Sequence, residues 1–273
     1  MSNGSMEPSL ETRLPIESPV SKWVRYTEIM TETTFERETM LQELGLFPIG
    51  IDEAGRGPLA GSVVAAATLL RDFNIDEENP LWKLVRDSKK LSPKQRETAF
   101  EFVEQHFWVG VGVIGPETID RVNILEATFL AMKAAVADLR RIMKQELRTK
   151  KDEELFLLVD GNQTIPNLSL QQETIVDGDS LVKSIAAASI IAKVTRDRMI
   201  VESDALYPGY GFAQHKGYGT KVHMEALRRL GPSPIHRMSF APVRMSLPEN
   251  VNRKLSTLQS QRNRGIAKKP KAW

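Results

Sequence analysis

Four acidic side chains, Asp52, Glu53, Asp160 and Asp179, follow short apolar runs, and chemistry would concentrate there. Asp52 and Glu53 follow PIGI, Asp160 follows LFLLV, and Asp179 follows TIVDG. If those runs are buried strands, the acids meet at strand ends, the usual place for ligand sites in α/β sheets. Packed carboxylates repel and raise one another's pKa, so up to four negative charges need counter-charge, which two divalent cations supply. Oxygen-only ligation selects Mg²⁺ or Mn²⁺ over zinc or copper. Such a pair of ions activates water and stabilises the leaving oxygen in phosphodiester cleavage. Any single acid after a strand serves equally well as a turn residue. Asp179 has a rival role as cap of a helix starting near Ser180, and Asp177 competes with it as the ligand.

The segment YPGYGFAQHKGYGTKVH (207–223) is the second feature with chemical content. Tyr207, Tyr210 and Tyr218 alternate with His215, Lys216 and Lys221 on a glycine-rich stretch. That mixture suits stacking on sugars or bases with phosphate neutralisation nearby, while a packed aromatic loop competes for Tyr207 and Tyr210. The histidines His106, His215, His223 and His236 are scattered, and His215 and His223 are expected at the surface or facing nucleic acid. GVGVIG (110–115) has dinucleotide-loop spacing, but its glycines lie inside a strand pattern and Pro116 follows, so its context excludes that use.

The elements that must position these residues are readable. LFPIGI is a strand ending at Asp52-Glu53, and SVVAAATLL (62–70), FWVGVGVIG (107–115), LFLLV (155–159) and QQETIV (171–176) are four more. A helical pattern covers Glu28 to Leu44. Ser92 is placed to cap a helix over Lys94–His106, and apolar residues recurring from Leu125 to Met143 predict a long amphipathic helix from Ile124 to about Leu147. Ser180–Ser203 and Lys221–Leu230 follow, the latter closed by Gly231-Pro232 as the last helix. Strands alternating with helices after a hairpin-like start predict an α/β fold on a mixed sheet.

The chain has 273 residues, 41% hydrophobic and 26% charged, with 37 Lys and Arg against 35 Asp and Glu. No cysteine is present, which excludes disulfides, thiolate metal sites and cysteine nucleophiles. The longest uncharged run, Gly57–Leu70, is too short to span a bilayer, and the acidic N-terminal stretch does not resemble a signal peptide. A cytoplasmic protein is expected. Charge is uneven: residues 1–47 hold four basic against eight acidic side chains, and residues 245–273 hold seven basic against Glu249. The expected organisation is a disordered arm over 1–27, a folded domain over 28–244 and a flexible basic tail over 245–273, able to add salt-dependent attraction to phosphates.

GIDEAGRGPLAGSVVAAA (50–67) closely resembles the N-terminal signature of ribonuclease HII, in its bacterial form. The resemblance continues in order through DSKKLS (87–92), ETIDRVNILEATFLAM (117–132), VDGN (159–162), GDSLVKSIAAASIIAKVTRDR (178–198), HKGYGT (215–220) and GPSPIHRMSF (231–240), covering about 48–244. It implies a ribonuclease H-like mixed sheet flanked by helices with a helical C-terminal part. It also implies a catalytic set of Asp52, Glu53, Asp160 and Asp179 holding Mg²⁺ or Mn²⁺, with Asp179 preferred over Asp177. Gly55-Arg56-Gly57 corresponds to the loop that reads a ribose 2′-hydroxyl, and Tyr218 to the tyrosine that packs on the sugar beyond the scissile junction. Ser62 departs from the family's usual proline. The implied activity is endonucleolytic cleavage of RNA in RNA–DNA hybrids and on the 5′ side of single ribonucleotides in duplex DNA, leaving 3′-hydroxyl and 5′-phosphate ends. That activity would serve ribonucleotide removal and primer RNA degradation. Lys89, Lys183, Lys193 and Arg196 are the expected phosphate contacts, with surface ion pairs as their competing use, and a monomer is expected. Two alternatives remain at this point: a hybrid-binding protein without catalysis, and another two-metal nuclease on the same fold.

Overall fold

Apolar runs bounded by turn residues become the strands of one sheet. The computed structural model describes residues 32–76, 78–147 and 154–247. Strands β1 (Phe47–Ala54), β2 (Val63–Leu70), β3 (Phe107–Ile114), β4 (Leu155–Asp160) and β5 (Gln171–Ile175) stand in the order β3-β2-β1-β4-β5. β2 runs antiparallel to β1 and β3, whereas β1 pairs parallel with β4 and β4 parallel with β5. The α/β class, the mixed sheet and the opening hairpin are therefore as expected. β1 differs in one consequential way. The expected strand ends at Asp52-Glu53, yet pairing continues with Asp52 opposite Ala66, Glu53 opposite Ala65 and Ala54 opposite Val64. The small side chains of β2 let the ladder run on, so both acids are fixed by a strand and not by a turn.

Helices cover both faces. α1 (Glu36–Glu43) is followed by α2 (Pro93–His106), α3 (Pro116–Val122), α4 (Ile124–Leu147) and α5 (Lys183–Leu206), then by the C-terminal helices α6 (Phe212–His215), α7 (Lys221–Leu230) and α8 (Ala241–Met245). Ser92 caps α2 in a reciprocal box with Gln95, an arrangement worth about 1 kcal/mol. α4 lays Ala127, Ala131, Met132, Ala135 and Leu139 against Ile49, Ile51, Ala65 and Ala67. On the other face, Ala186, Ala187, Ile190 and Ile191 of α5 join Ala66, Trp82, Phe100 and Val103. The GVGVIG glycines serve that packing: a Cβ on Gly110 would meet the carbonyl of Ala135, and one on Gly112 the carbonyl of Ala131, both at under 3.0 Å.

Three boundaries differ from expectation. α1 begins at Glu36 because Thr34 is extended, bridging to Val182 through Thr34 N–H to the Leu181 carbonyl (3.0 Å) and Lys183 N–H to the Thr34 carbonyl (3.1 Å); positions 28–31 of the expected helix lie outside the described residues. α5 begins at Lys183 with Val182 as its N-cap, and Gly178–Ser180 forms a separate 3₁₀ turn. Asp179 is thus not the cap. α8 follows α7, so the basic tail's first residue, Met245, is helical. The N-terminal arm and residues 248–273 of the tail lie outside the described residues. Among the described residues no helix is long and apolar enough to cross a membrane.

Candidate active site

Three strands bring the acids to one edge of the sheet. β1 delivers Asp52 and Glu53, the last residue of β4 is Asp160, and Asp179 sits in the turn after β5. The two acids of that turn part company: Asp177 is exposed in a left-handed conformation (φ 55°), whereas Asp179 is buried. A cleft of about 270 Å³ is lined by Asp52, Glu53, Asp160, the Gly55–Gly57 loop, Lys89 and Tyr218, among others. A larger hollow of about 520 Å³ lies beside Phe47, Leu70 and Trp108 at the opposite strand ends, but Asp72 is its only carboxylate. Size therefore does not select the site; the acids do.

Their electrostatics are those of negative charges forced together. Burial pushes Asp52 well above the ordinary carboxylate range, and Glu53, Asp160 and Asp179 push it further, against an N–H bond from Glu53 (2.7 Å). Asp160 is raised to about 6, first by burial and then by Asp179 and Glu53, although Gly178 N–H donates to its Oδ1 (2.8 Å). Asp179 is raised mainly by burial, with Lys89 Nζ at 3.3 Å from Oδ2 pulling the other way. Arg56 Nη1 donates to Glu53 Oε1 at 3.0 Å. Among the described residues no three His, Cys, Asp or Glu side chains already stand in an ion-binding arrangement. The fit to a cation is one of charge and donor type: an all-oxygen set in which burial first, and then neighbouring carboxylates, disfavour ionisation of Asp52 and Asp160 until positive charge arrives.

Beside the acids, Gly55 (φ +94°) turns the chain where a Cβ would strike the Ser62 carbonyl, so only glycine fits. Gly57 lies in the cleft wall, and a Cβ there would stand 3.5 Å from the Tyr218 ring. Tyr218 is 45% exposed. Tyr210, in contrast, is buried, stacked on Phe212 and bonded from its hydroxyl to the Gly231 carbonyl (2.7 Å), which is the packing role.

The cationic residues divide. Lys89 is exposed at the cleft and Lys193, paired with Asp197 (2.8 Å), lines it. Lys183 corrects an expectation. Its ammonium is turned inward, donating to Thr33 Oγ1 (2.8 Å) and to the carbonyls of Trp82 (2.8 Å) and Val85 (3.1 Å). The charge ties the chain before α1 to the 3₁₀ turn Pro80–Leu84 and does not face a substrate. Replacing Lys183 with Ala is expected to cost about 2–3 kcal/mol of stability by stranding those acceptors, with no change in the salt dependence of substrate KM; a flattened salt slope would restore the phosphate role. Arg196 lines the cleft as well, with little of its side chain open to it. It is 2% exposed, and its guanidinium packs beneath the glycine loop, donating to the Ala60 carbonyl (3.3 Å) and paired with Asp197.

The histidine expectation is overturned as well. His215, His223 and His236 are buried together, with His215 and His223 stacked at 4.4 Å and His223 Nε2 2.9 Å from His236 Nε2. Desolvation holds His223 below its ordinary value and His236 down to about 4. Sequence reasoning also passed over Arg237, fully buried, whose guanidinium reaches the carbonyls of Gly55, Arg56, Pro58 and Gly61. Its only signal was its place in the GPSPIHRMSF stretch; nothing in the residue types marks an arginine as interior.

A mixed sheet in this order, sandwiched between two long helices with a carboxylate cluster at one edge, defines a nuclease of the ribonuclease H-like class. A solved structure of that class, ribonuclease H2 from Pyrococcus horikoshii, is similar with a TM-score of 0.53 and 30% identity, over 77% of this chain and 100% of that one. The sequence model of the family described as Ribonuclease HII matches residues 49–243. A ribonuclease HII from Geobacter sulfurreducens is 52% identical over 202 residues, covering 74% of this chain and 85% of the relative. One from Endomicrobium trichonymphae is 47% identical over 217 residues, covering 78% and 95%. This chain belongs to the ribonuclease HII family. It is a ribonuclease H, an endonuclease for the RNA strand of RNA–DNA hybrids.

Proposed function

We propose that the chain cuts the phosphodiester on the 5′ side of a ribonucleotide, in hybrids and at single ribonucleotides embedded in duplex DNA, leaving 3′-hydroxyl and 5′-phosphate ends. The observation that carries this is one cleft holding mutually repelling carboxylates next to a glycine loop and an exposed tyrosine. Asp52, Glu53 and Asp160 would hold Mg²⁺ or Mn²⁺, and Asp179 would complete the set. When bound, such ions supply the positive charge that activates water and stabilises the leaving oxygen.

The chain's own residues do the rest. Among the described residues the amides of Arg56 and Gly57 and the Gly57 carbonyl have no intramolecular hydrogen bond, so they are free to meet a 2′-hydroxyl, the group that separates RNA from DNA. Tyr218, beside Gly57, offers a ring face to the neighbouring sugar. Lys89 and Lys193 stand where phosphates would pass. Residues 28–244 form the catalytic unit in this reading, with ribonucleotide removal and primer RNA degradation as its roles.

The test is cleavage of a labelled DNA duplex carrying one ribonucleotide, with Mg²⁺ and separately Mn²⁺, beside an all-DNA duplex. One cut 5′ to the ribonucleotide and none in all-DNA is the expected result. Cleavage of both would assign a different nuclease, and tight binding without a cut would leave a silent binder.

A further inference from the structure

The substrate-facing loops do not hold their own shape. Within Gly55–Gly61 the apolar side chains of Leu59 and Ala60 are buried, but among the described residues the loop's own side chains make no hydrogen bond to its carbonyls, and Tyr218 sits on a stretch with glycine on either side. Both depend on one dipeptide elsewhere in the chain. Arg237 Nη2 donates to the Gly55 carbonyl (2.6 Å), Nη1 to those of Arg56 (3.0 Å) and Pro58 (2.8 Å), and Nε to that of Gly61 (2.9 Å). Its own N–H donates to the Leu59 carbonyl at 2.9 Å. The carboxylate of Asp120 acts on this guanidinium through its charge, but the groups that bond it directly are four backbone carbonyls. A rigid fork of five donors can do this, and a lysine's point charge cannot.

His236, the residue before, holds the other element. Ser233 N–H donates to His236 Nδ1 (2.9 Å), so the ring's proton sits on Nε2 and is donated to His223 Nε2 (2.9 Å). His223 must then carry its proton on Nδ1, which faces the Tyr218 carbonyl at 2.9 Å. A parallel pair fixes His215: Gly217 N–H donates to Nδ1 (3.1 Å), and Nε2–H goes to the Tyr210 carbonyl (2.8 Å). The two loops are also joined directly, Leu59 N–H to the Gly217 carbonyl at 2.8 Å. Asp120 anchors the dipeptide from α3, accepting from the amides of Met238 and Ser239, both at 2.8 Å.

We infer that His236-Arg237 is the positioning device of the substrate-reading surface, Arg237 by turning the carbonyls of residues 55–61 inward and His236, through His223, by setting the height of Tyr218 beside Gly57. Neither residue is catalytic, since neither touches the acids. The inference rests on the proposed reading of the glycine loop and Tyr218, and its test separates the two.

Full-length Arg237→Lys, His223→Leu, His223→Asn, Tyr218→Ala and the Tyr218→Ala/His223→Leu double variant are assayed on the single-ribonucleotide duplex, with folding followed by melting. Arg237→Lys is expected to keep the rise in melting temperature on adding Mn²⁺, which reports the acid cluster, while losing about 10- to 100-fold in kcat with a smaller change in KM, as misplaced reading groups do. His223→Leu should lose several-fold, His223→Asn should recover most of it by placing an amide N–H where Nδ1 was, and the double variant should be no worse than Tyr218→Ala alone. Wild-type kinetics in Arg237→Lys overturn the inference for the glycine loop. Losses that add in full in the double variant overturn it for Tyr218. If Arg237→Lys does not fold, the His223 series decides. If Tyr218→Ala cleaves like wild type, it is the reading of Tyr218 that fails, and Arg237→Lys still decides the remainder.

Discussion

Asp160→Asn is expected to lower cleavage by about 10³-fold or more and, in the same protein, to raise the melting temperature measured at pH 8 with EDTA. On the proposed reading the first effect would be the loss of a metal ligand and of charge at the reacting phosphate, and 10³-fold corresponds to about 4 kcal/mol of transition-state stabilisation. The second follows from proton linkage. Asp160 has its carboxyl raised from 3.8 to about 6 in the fold, so the folded state holds a proton that the unfolded chain has released. Its contribution is favourable below about pH 4, is lost as the pH rises through about 6, and leaves a net cost above that. Two units would be about 3 kcal/mol; with the side chain only partly buried, about 1–2 kcal/mol is the sounder expectation. Asparagine keeps an oxygen for the Gly178 N–H and removes the charge. The gap between variant and wild type should therefore open between about pH 4 and pH 6 in EDTA and hold to pH 8, and millimolar Mg²⁺ should close it by stabilising the wild type far more. A variant that melts below wild type at pH 8 without metal would show that Asp160 is structural and that no charge is waiting to be balanced.

Much of this was readable in the sequence, for reasons that particular residues illustrate. LFLLV is apolar without interruption and SVVAAATLL is broken only by Ser62 and Thr68, because α4 and α5 cover both faces of the sheet. Ser92-Pro93 announced α2 by capping chemistry that operates within four residues. The glycines of GVGVIG were rightly denied a phosphate, and the structure supplies their positive reason in the backbone of α4. What was not readable depends on contacts distant in the chain. That β1 continues through Asp52-Glu53 follows from the small residues of β2 opposite. That Lys183 and Arg237 point inward follows from backbone carbonyls 98 and more residues away, which no periodicity records. His236 looks like a surface polar residue because its burial belongs to a tertiary cluster of short segments, whereas His223 stands on the buried face of α7 with Ala226 and Leu227, where helical spacing does mark it. The site's acids were legible because they end apolar runs; the machinery that holds the reading loops was not, because it consists of side chain to backbone bonds across the fold.

The other large effect is expected at Gly50, two residues before Asp52 on β1. A Cβ there would lie under 3.0 Å from Ser184 C, Ser184 O and Ile185 N, all backbone atoms of the first turn of α5. The helix cannot slide away cheaply. Thr68 Oγ1 donates to the Ser184 carbonyl (2.7 Å) from the sheet, and the Glu38 carboxylate receives the Ser184 N–H (2.6 Å) from α1. Gly50→Ala must therefore push β1 and α5 apart by about an ångström or break one of those bonds, at a cost of about 3 kcal/mol. The displacement acts on the cleft from two sides, since β1 carries Asp52 and Glu53 while the turn entering α5 carries Asp179. Protein that still folds should lose about 10²-fold in kcat. Gly112→Ala is the matched control: its Cβ would crowd the Ala131 carbonyl equally, but on the α4 side of β3, two strands removed from β1 in the row of Ala65 and Glu53. Melting and single-turnover cleavage of the two variants should show similar losses of stability and a loss of rate per folded molecule in Gly50→Ala alone. Equal rates would mean that the spacing of β1 and α5 tolerates an ångström without cost to the chemistry, and that the acids are placed by their own turns after all.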